Sequence, residues 1–356
     1  MTEDSEYDPF ARGRFPVGVR TVEARDEARE RVYPCEMWYP TGEEFAGQDL
    51  APETQDAFSV APGGATRRQA AVRDAGARPG DYPLVAYSHS SGPGARRMAT
   101  YLCTHLASHG YVVGALDHAE TIAAELARQE GETAEARSAR VDGWIANRVP
   151  DVRFLVDFLI GGVAWKEGVR VDSTAVGAVG HSFGGWTVLA AVEEEARIAA
   201  VVALAPGGSS RPRPGIIPAQ LKFEWGRDVP TLYLVGENDT PTPLAGVREL
   251  FERTPATRRM VVLRRADHCH FMDDAEQMHE VMRTMPWPAE LAYMPKEMLP
   301  IGELCSGEEA HRFTRGLTLA HLDATLRGME AGRRFLAGDV EGELRRRGVE
   351  GWVVRA

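Results

Sequence analysis

The sequence predicts an α/β fold in which a mostly parallel central sheet is covered by helices on both faces. Buried-type strands alternate along the chain with stretches of helical periodicity, the pattern typical of such sheets. The clearest strands are residues 83–88, 111–116, 199–205 and 231–235. The clearest helical stripe consists of Leu319, Leu322, Leu326 and Met329. Because loops converge beyond the carboxyl ends of parallel strands, we expect a functional site at that edge.

The two ends of the chain differ from this alternating pattern. Residues 17–22 and 32–39 predict two early strands, a hairpin that ends at Pro40, and residues 260–263 predict the last strand. We expect a disordered N-terminus over 1–14 and one domain over 15–356. The expected insertions are 41–80, 119–140, 207–228 and 272–304. Methionine and proline are concentrated in the last insertion, which predicts either plain scaffold or a helical lid beside the site.

Composition restricts the class of protein. The chain has 356 residues, of which 44% are hydrophobic and 26% charged, as in a globular protein. A net charge of −11 argues against nucleic acid as a partner. No basic and apolar leader and no run of about 18 apolar residues is visible, so we expect a cytoplasmic protein without a membrane span. The four cysteines are scattered without metal-ligand spacing, which predicts free thiols and no metal.

A strand-turn-helix pattern surrounds Ser182. The apolar run 175–179 leads into Gly180-His181-Ser182-Phe183-Gly184-Gly185, and a helix-capable stretch follows. Glycines two residues before and two residues after Ser182 allow the strained turn that exposes a nucleophile. The pattern therefore predicts a nucleophile elbow and serine-based acyl transfer.

A nucleophilic serine needs a base to take its proton and a third group to orient that base. Asp239 lies just past strand 231–235 and is our predicted acid, with Glu237 as the competing carboxylate. The loop after strand 260–263 contains two candidate bases, His268 and His270. Four further histidines are expected on helices as surface or core-edge residues: His105, His109, His279 and His321.

The tetrahedral intermediate of acyl transfer needs two N–H donors for its oxyanion. One is the amide of Phe183, at the positive end of the helix that follows the elbow. The second should come from the loop after strand 83–88, and we assign it to Ser91, with Ser90 as the alternative. His89 in the same loop is expected to brace the loop.

With these residues assigned, the chain resembles the α/β-hydrolase superfamily. It looks most like dienelactone-hydrolase-like and platelet-activating-factor-acetylhydrolase-like esterases, a group that includes bacterial polyester (cutinase-like) hydrolases. The resemblance rests on residues 15–21, 38–40, 83–89, 110–113, 117–118, 180–185, 236–241 and 268–271. It implies a triad of Ser182, Asp239 and His268. Related sequences commonly place an aromatic residue three positions after the base, and Phe271 therefore favours His268 over His270.

Two departures narrow the expected activity. Dienelactone hydrolases use a cysteine nucleophile, and the stretch 204–207 lacks the carboxylate of the acetylhydrolases, so the acid must follow a later strand, as in cutinase-like esterases. We therefore expect a cofactor-free serine carboxylic-ester hydrolase for short- to medium-chain or bulky apolar esters. The alternatives are an acyltransferase or thioesterase with the same triad, and a non-catalytic ligand-binding protein. Candidate pocket residues are His89, Ser90, His181, His270, Phe271 and Trp287.

Overall fold

A ten-stranded sheet forms the centre of the protein, which we describe from a computed structural model. The structure describes residues 7–59, 65–92, 95–118, 123–126, 129–161, 165 and 168–355. The strands are β1 (Val17–Asp26), β2 (Arg31–Pro40), β3 (Asp56–Phe58), β4 (Arg67–Gln69), β5 (Val72–Arg73), β6 (Gly80–Ser88), β7 (Val112–Leu116), β8 (Val169–His181), β9 (Ile198–Leu204), β10 (Thr231–Gly236), β11 (Arg258–Leu263) and β12 (Gly351–Val354). The helices are α1 (Thr100–Ser108), α2 (Ala123–Leu126), α3 (Ala134–Ile160), α4 (Phe183–Glu194), α5 (Leu244–Arg253), α6 (Ala275–Thr284), α7 (Met294–Glu297), α8 (Gly307–Thr325), α9 (Glu330–Ala337) and α10 (Val340–Arg346).

The order of strands in the sheet is β12-β11-β10-β9-β8-β6-β7-β2-β1-β5. All pairs from β7 through β6, β8, β9 and β10 to β11 are parallel. The β1–β2 hairpin joins β7 in antiparallel fashion, and β12 pairs antiparallel with β11 at the opposite edge. The prediction of a mostly parallel sheet is therefore confirmed.

Helices pack on both faces of the sheet and create two hydrophobic cores. On one face, α3, α4 and α5 contribute side chains such as Leu155, Val188 and Leu250. On the other face, α1 and α8 contribute side chains such as Leu106 and Phe313. Because the central strands are covered on both sides, they are continuous apolar runs in the sequence rather than alternating patterns.

The two ends of the chain differ from the predictions. Residues 260–263 do not form the last strand, because β12 follows them much later and pairs with them. Residues 7–14, which we expected to be disordered, pack against the domain: Phe10 is buried, and the Tyr7 hydroxyl donates to Asp323 at 3.0 Å. Residues 1–6 lie outside the described part of the chain. A strand of only four residues and a polar terminus are too short for a periodic pattern that could reveal either contact.

The four expected insertions differ in how much regular structure they contain, and 119–140 includes α2 and the start of α3. Residues 41–80 contain β3, β4 and β5, and 207–228 contain neither helix nor strand. Part of 119–140 lies outside the described residues, whereas 272–304 contains α6 and α7.

All four cysteines are buried free thiols. Within the described ranges, none of the helices combines the length and the apolar character that crossing a membrane requires.

Candidate active site

Ser182 lies between the end of β8 and the start of α4, in the strand-turn-helix arrangement that its motif predicts. Its backbone has φ 58° and ψ −117°, a conformation that is strained for a residue with a side chain. The Ser182 amide donates to the carbonyl of Leu204 at 2.9 Å, and its carbonyl accepts from the amide of Gly207 at 2.9 Å. Bonds to the neighbouring strand therefore hold the strained turn in place.

Two glycines of the motif are required by close packing. A Cβ atom on Gly180 would lie 2.1 Å from the carbonyl oxygen of Gly184. A Cβ atom on Gly184 would lie 1.9 Å from the carbonyl oxygen of Ser88, at the end of β6. The first turn of α4 therefore lies directly against the start of the loop that follows β6.

Asp239 and His268 form a buried hydrogen-bonded pair. The distance from His268 Nδ1 to Asp239 Oδ2 is 2.8 Å, and Asp239 Oδ1 accepts from the amide of Thr242 at 2.7 Å. The competing carboxylate, Glu237, instead pairs with Arg264 at 3.6 Å and accepts from the amide of Arg265. The structure thus brings Asp239 to His268 and leaves Nε2 as the ring nitrogen that Asp239 does not hold.

The Asp239 carboxylate changes the acid-base behaviour of His268. Burial alone would lower the pKa of His268, but the charge of Asp239 and its hydrogen bond outweigh burial. The pKa of His268 is therefore raised above its ordinary value, so its charged form is stabilised.

The ring of His181 places His268 beside the elbow. The ring centroids of these two histidines are 4.6 Å apart, and His181 directly precedes Ser182. His181 is fully buried, and burial together with the nearby His268 lowers its pKa well below the ordinary value. The Phe271 ring also packs against His181, with centroids 5.8 Å apart. His181 is therefore a neutral spacer between the elbow and the histidine loop.

His270, the rival base, is held by other groups. Its Nδ1 is 2.7 Å from Asp267 Oδ1, and its Nε2 donates to the carbonyl of Cys305 at 2.9 Å. Burial opposes the charge, but these hydrogen bonds raise the pKa of His270 to about 10. His279, which we expected at the surface or core edge, is also buried against Asp267, with Nδ1 2.5 Å from Oδ2. Both ring nitrogens of His270 thus serve to hold the loop.

The loop after β6 is braced from within, as expected for His89. His89 is fully buried, its Nδ1 lies 2.5 Å from the carbonyl oxygen of Ser90, and its Nε2 accepts from the amide of His118 at 3.0 Å. The Ser90 hydroxyl donates to Met98 Sδ at 2.9 Å. The Ser91 hydroxyl is buried and has no hydrogen-bond partner among the described residues.

A cavity of about 580 Å³ lies beside the elbow, between residues 206–216 and 241–249. It adjoins the Asp239–His268 pair through Thr242, which lines it, and the elbow through Gly207. Much of the lining is apolar: Pro206, Pro212, Ile216, Pro241, Pro243 and Val247. Arg211, Arg213 and Glu249 add charge to the wall.

The residues that we named as pocket candidates do not line this cavity. They lie in the histidine loop, in the loop after β6 and on the elbow: His89, Ser90, His181, His270 and Phe271, all of them buried. The sixth candidate, Trp287, donates its indole N–H to the carbonyl of Met282 at 2.6 Å. Sequence position near the site thus indicated residues that support it, whereas the cavity wall comes from the loop 206–216, the turn before α5 and the start of α5.

The structure contains a second Ser-His-Asp arrangement that sequence reasoning missed. Ser88 Oγ is 3.0 Å from His118 Nε2, and His118 Nδ1 is 2.9 Å from Asp151 Oδ2. All three side chains are buried. The available signal was a pair of charges, Arg148 and Asp151, one turn apart on the otherwise apolar face of α3 that contains Val152.

The sheet order, the elbow after β8 and the Asp–His pair beyond β10 and β11 define the class of this protein as an α/β-hydrolase fold. A solved ferulic acid esterase from Streptomyces cinnamoneus has the same fold, with a TM-score of 0.63, 24% sequence identity, and coverage of 90% of this chain and 93% of that chain. The predicted fold is therefore confirmed.

Sequence comparison identifies more specific relatives within this fold class. A family model described as platelet-activating factor acetylhydrolase, isoform II, matches residues 15–149. The platelet-activating factor acetylhydrolase of Cavia porcellus is 26% identical over 233 residues, which cover 54% of this chain and 48% of that protein. The chain thus spans about half the length of this curated relative. These likenesses confirm the predicted resemblance.

Proposed function

We propose that this protein is a serine carboxylic-ester hydrolase that forms an acyl-enzyme on Ser182. The observation that carries the proposal is the buried Asp239–His268 pair, whose imidazole packs against His181, the residue directly before a strained, partly exposed serine. The names of the two relatives, an acetylhydrolase and an esterase, support the same class of reaction.

The first half of the reaction builds the acyl-enzyme. Ser182 Oγ attacks the ester carbonyl carbon while its proton passes to His268 Nε2, and Asp239 stabilises the imidazolium that forms. The amides of Phe183 and Ser91 donate to the oxyanion, each contributing about 3 kcal/mol to the transition state. The intermediate then collapses: the carbon–oxygen bond to the leaving alcohol breaks, and the alcohol takes the proton from His268.

The second half regenerates the serine. His268 takes a proton from a water molecule as that water attacks the acyl carbonyl, and the second tetrahedral intermediate uses the same donors. When the bond between Ser182 Oγ and the acyl carbon breaks, the proton returns from His268 to the serine, and the carboxylic acid leaves. His268 serves both halves of the reaction. It acts as a general base when the serine or the water attacks, and as a general acid when the alcohol or the serine leaves.

The cavity beside the elbow supports a substrate with an apolar part of moderate size. Its volume of about 580 Å³ lies within the usual range of small-molecule pockets, roughly 300–1,000 Å³. The last expected insertion contacts its wall: Arg213 pairs with Glu297 at 2.6 Å, and the Tyr293 hydroxyl donates to the carbonyl of Pro214. We propose short- to medium-chain or bulky apolar esters as substrates, with residues 289–298 closing one side of the cavity.

A series of p-nitrophenyl esters of increasing acyl length tests the proposal directly. We expect hydrolysis that a fluorophosphonate abolishes, with the label on the peptide that contains Ser182 in mass spectrometry. Added alcohols and thiols separate hydrolysis from acyl transfer, since both attack the same acyl-enzyme. A label on any other serine, or no turnover of any ester, would overturn the assignment.

A further inference from the structure

A buried arginine touches both halves of the candidate oxyanion hole. Arg148 on α3 is 1% exposed, and its Nη1 donates to the carbonyl of His89 at 2.6 Å. Its guanidinium carbon also lies 4.4 Å from the ring centroid of Phe183, the residue that offers the other candidate amide. One side chain thus contacts the loop after β6 and the first turn of α4.

Two carbonyls of that loop are held by hydrogen bonds, and this fixes the directions of the amides in the same two peptides. In a trans peptide the C=O and N–H groups point in opposite directions. Arg148 holds the carbonyl of His89 and thereby fixes the N–H of Ser90. The His89 ring is 2.5 Å from the carbonyl oxygen of Ser90 and thereby fixes the N–H of Ser91. Each hydrogen bond to a carbonyl also polarises the N–H of the same peptide.

The tautomer of His89 is determined by its neighbours. Its Nε2 accepts from the amide of His118, so the ring proton is on Nδ1 and is donated to the Ser90 carbonyl. Burial, together with the charge of Arg148, lowers the pKa of His89 well below its ordinary value. His89 therefore stays neutral and keeps this orientation.

The second Ser-His-Asp arrangement anchors the same loop. Arg148 Nη1 is 3.4 Å from Ser88 Oγ, which in turn donates to His118 Nε2, and Asp151 accepts from His118 Nδ1. Asp151 also accepts from the Tyr33 hydroxyl at 2.6 Å and from Arg29 at 2.8 Å. The chain of bonds therefore connects the loop to α3 and to β2.

Burying a guanidinium is costly, and neutral donors can also satisfy the polar groups that Arg148 contacts, the His89 carbonyl and the Ser88 hydroxyl. A fixed positive charge behind two donor amides, in contrast, favours the negative charge that develops on the substrate oxygen. We propose that Arg148, supported by Ser88, His118 and Asp151, is a positioning residue that orients the oxyanion-hole amides. This inference rests on the proposed function.

The test compares wild type, Arg148→Met, Arg148→Lys and Arg258→Met. Arg258 is a matched control, because it also donates to a backbone carbonyl, that of Thr254 at 2.8 Å, and lies over a ring, that of Phe251. It lies at the start of β11, at the end of that strand opposite the His268 loop. For hydrolysis of p-nitrophenyl butyrate we expect Arg148→Met to lower kcat about 100-fold with KM within about threefold of wild type. Arg148→Lys should recover most of the loss, and Arg258→Met should match wild type.

A second measurement separates positioning from general destabilisation. A trifluoromethyl ketone adds to the nucleophilic serine and places an oxyanion in the hole, so its inhibition constant should rise by the factor by which kcat/KM falls. If Arg148→Met fails to fold, His118→Gln is measured instead, with an expected drop in kcat of about tenfold and the same parallel rise. Unchanged ketone binding, or equal losses in Arg258→Met, would overturn the inference. A wild-type protein that neither turns over esters nor is labelled at Ser182 would instead overturn the proposed function.

Discussion

Two hydrogen-bonded Asp–His pairs lie at the carboxyl edge of the same sheet, and their distances are nearly equal, 2.8 Å for Asp239–His268 and 2.9 Å for Asp151–His118. Ser88 bonds to His118, and Ser182 is the serine that we propose as the partner of His268. Their serines differ. Ser182 is strained and partly exposed, whereas Ser88 is a fully buried residue at the end of β6, paired in the sheet with Gly180. Of these two serines, only Ser182 has an exposed surface that a substrate can reach.

The two histidines also differ in electrostatic surroundings. The pKa of His268 is raised because the charge of Asp239 outweighs burial. The pKa of His118 is lowered well below its ordinary value by burial and by the charges of Arg148, Arg31 and Arg29. A base in acyl transfer must become charged, so the surroundings of His118 oppose the reaction and those of His268 favour it. Hydrogen-bond geometry alone therefore does not identify a catalytic triad.

The sharpest contrast is between the two serines. Ser182→Ala should lower kcat by roughly 10⁴–10⁶-fold, as losses of triad members do, because no nucleophile is left. Ser88→Ala removes the buried hydrogen bonds to His118 and Arg148 and should keep kcat within about 30-fold of wild type. Kinetics with p-nitrophenyl esters and fluorophosphonate labelling of both variants measure this difference. Comparable losses in the two variants would contradict the contrast.

The two histidines of the loop after β11 should separate in the same way. His268→Ala should match the loss in Ser182→Ala, because the proton of the serine has no acceptor. His270→Ala should cost about tenfold or less in kcat, since His270 holds Asp267 and Cys305 rather than the substrate. Steady-state kinetics on both variants, with circular dichroism to verify folding, would show a reversed order if His270 were the base.

The assignment of Asp239 as the acid can be tested against Glu237, the other carboxylate in the same turn. Asp239→Asn should lower kcat by about 10⁴-fold with little change in KM, because the histidine loses its tautomer and the stabilisation of its charged form. Glu237→Gln serves as the control and should leave kcat unchanged, since its carboxylate contacts Arg264 and Arg265. A severe loss of kcat in Glu237→Gln would instead identify Glu237 as the acid.

The smallest expected effect is a shift along the pH axis. Neutral His268 is needed to take the serine proton, so kcat/KM should rise with pH through a midpoint above the ordinary histidine value of about 6.5. Loss of the arrangement around His118 should not move this midpoint, because His118 stays neutral over the same range. A pH–rate profile of His118→Gln whose midpoint shifts by one unit would link the two arrangements electrostatically.

Much of the fold could be predicted because the central strands are buried on both faces and therefore stand out as apolar runs, as in 199–205. The elbow was visible for a local reason: the glycines around Ser182 are demanded by atoms only a few residues or one strand away. The order of strands predicted Asp239 and a histidine of the loop 268–270, since each comes directly after a strand that ends at the same edge. The choice of His268 over His270 came from the resemblance, through Phe271.

The rest depended on contacts between distant parts of the chain. His118 and Asp151 are 33 residues apart, and nothing local in the sequence shows that the helix bearing Asp151 packs against the end of β7. The cavity wall was missed for a similar reason, because 206–216 has neither helix nor strand, and nothing local shows that it lies opposite the start of α5 across the cavity. A charged pair on an apolar helix face was the one local sign of the buried network.

The short strand β12 has a consequence for how the folded protein behaves in concentrated solution. It pairs with β11 from Met260 to Leu263 and so covers the outer edge of the parallel strands. An uncovered strand edge exposes unpaired N–H and C=O groups, to which another chain can add. Removing β12 by ending the chain just before Gly351 should therefore promote self-association through β11. A protein fused after β12 has to leave these four residues free to pair with β11.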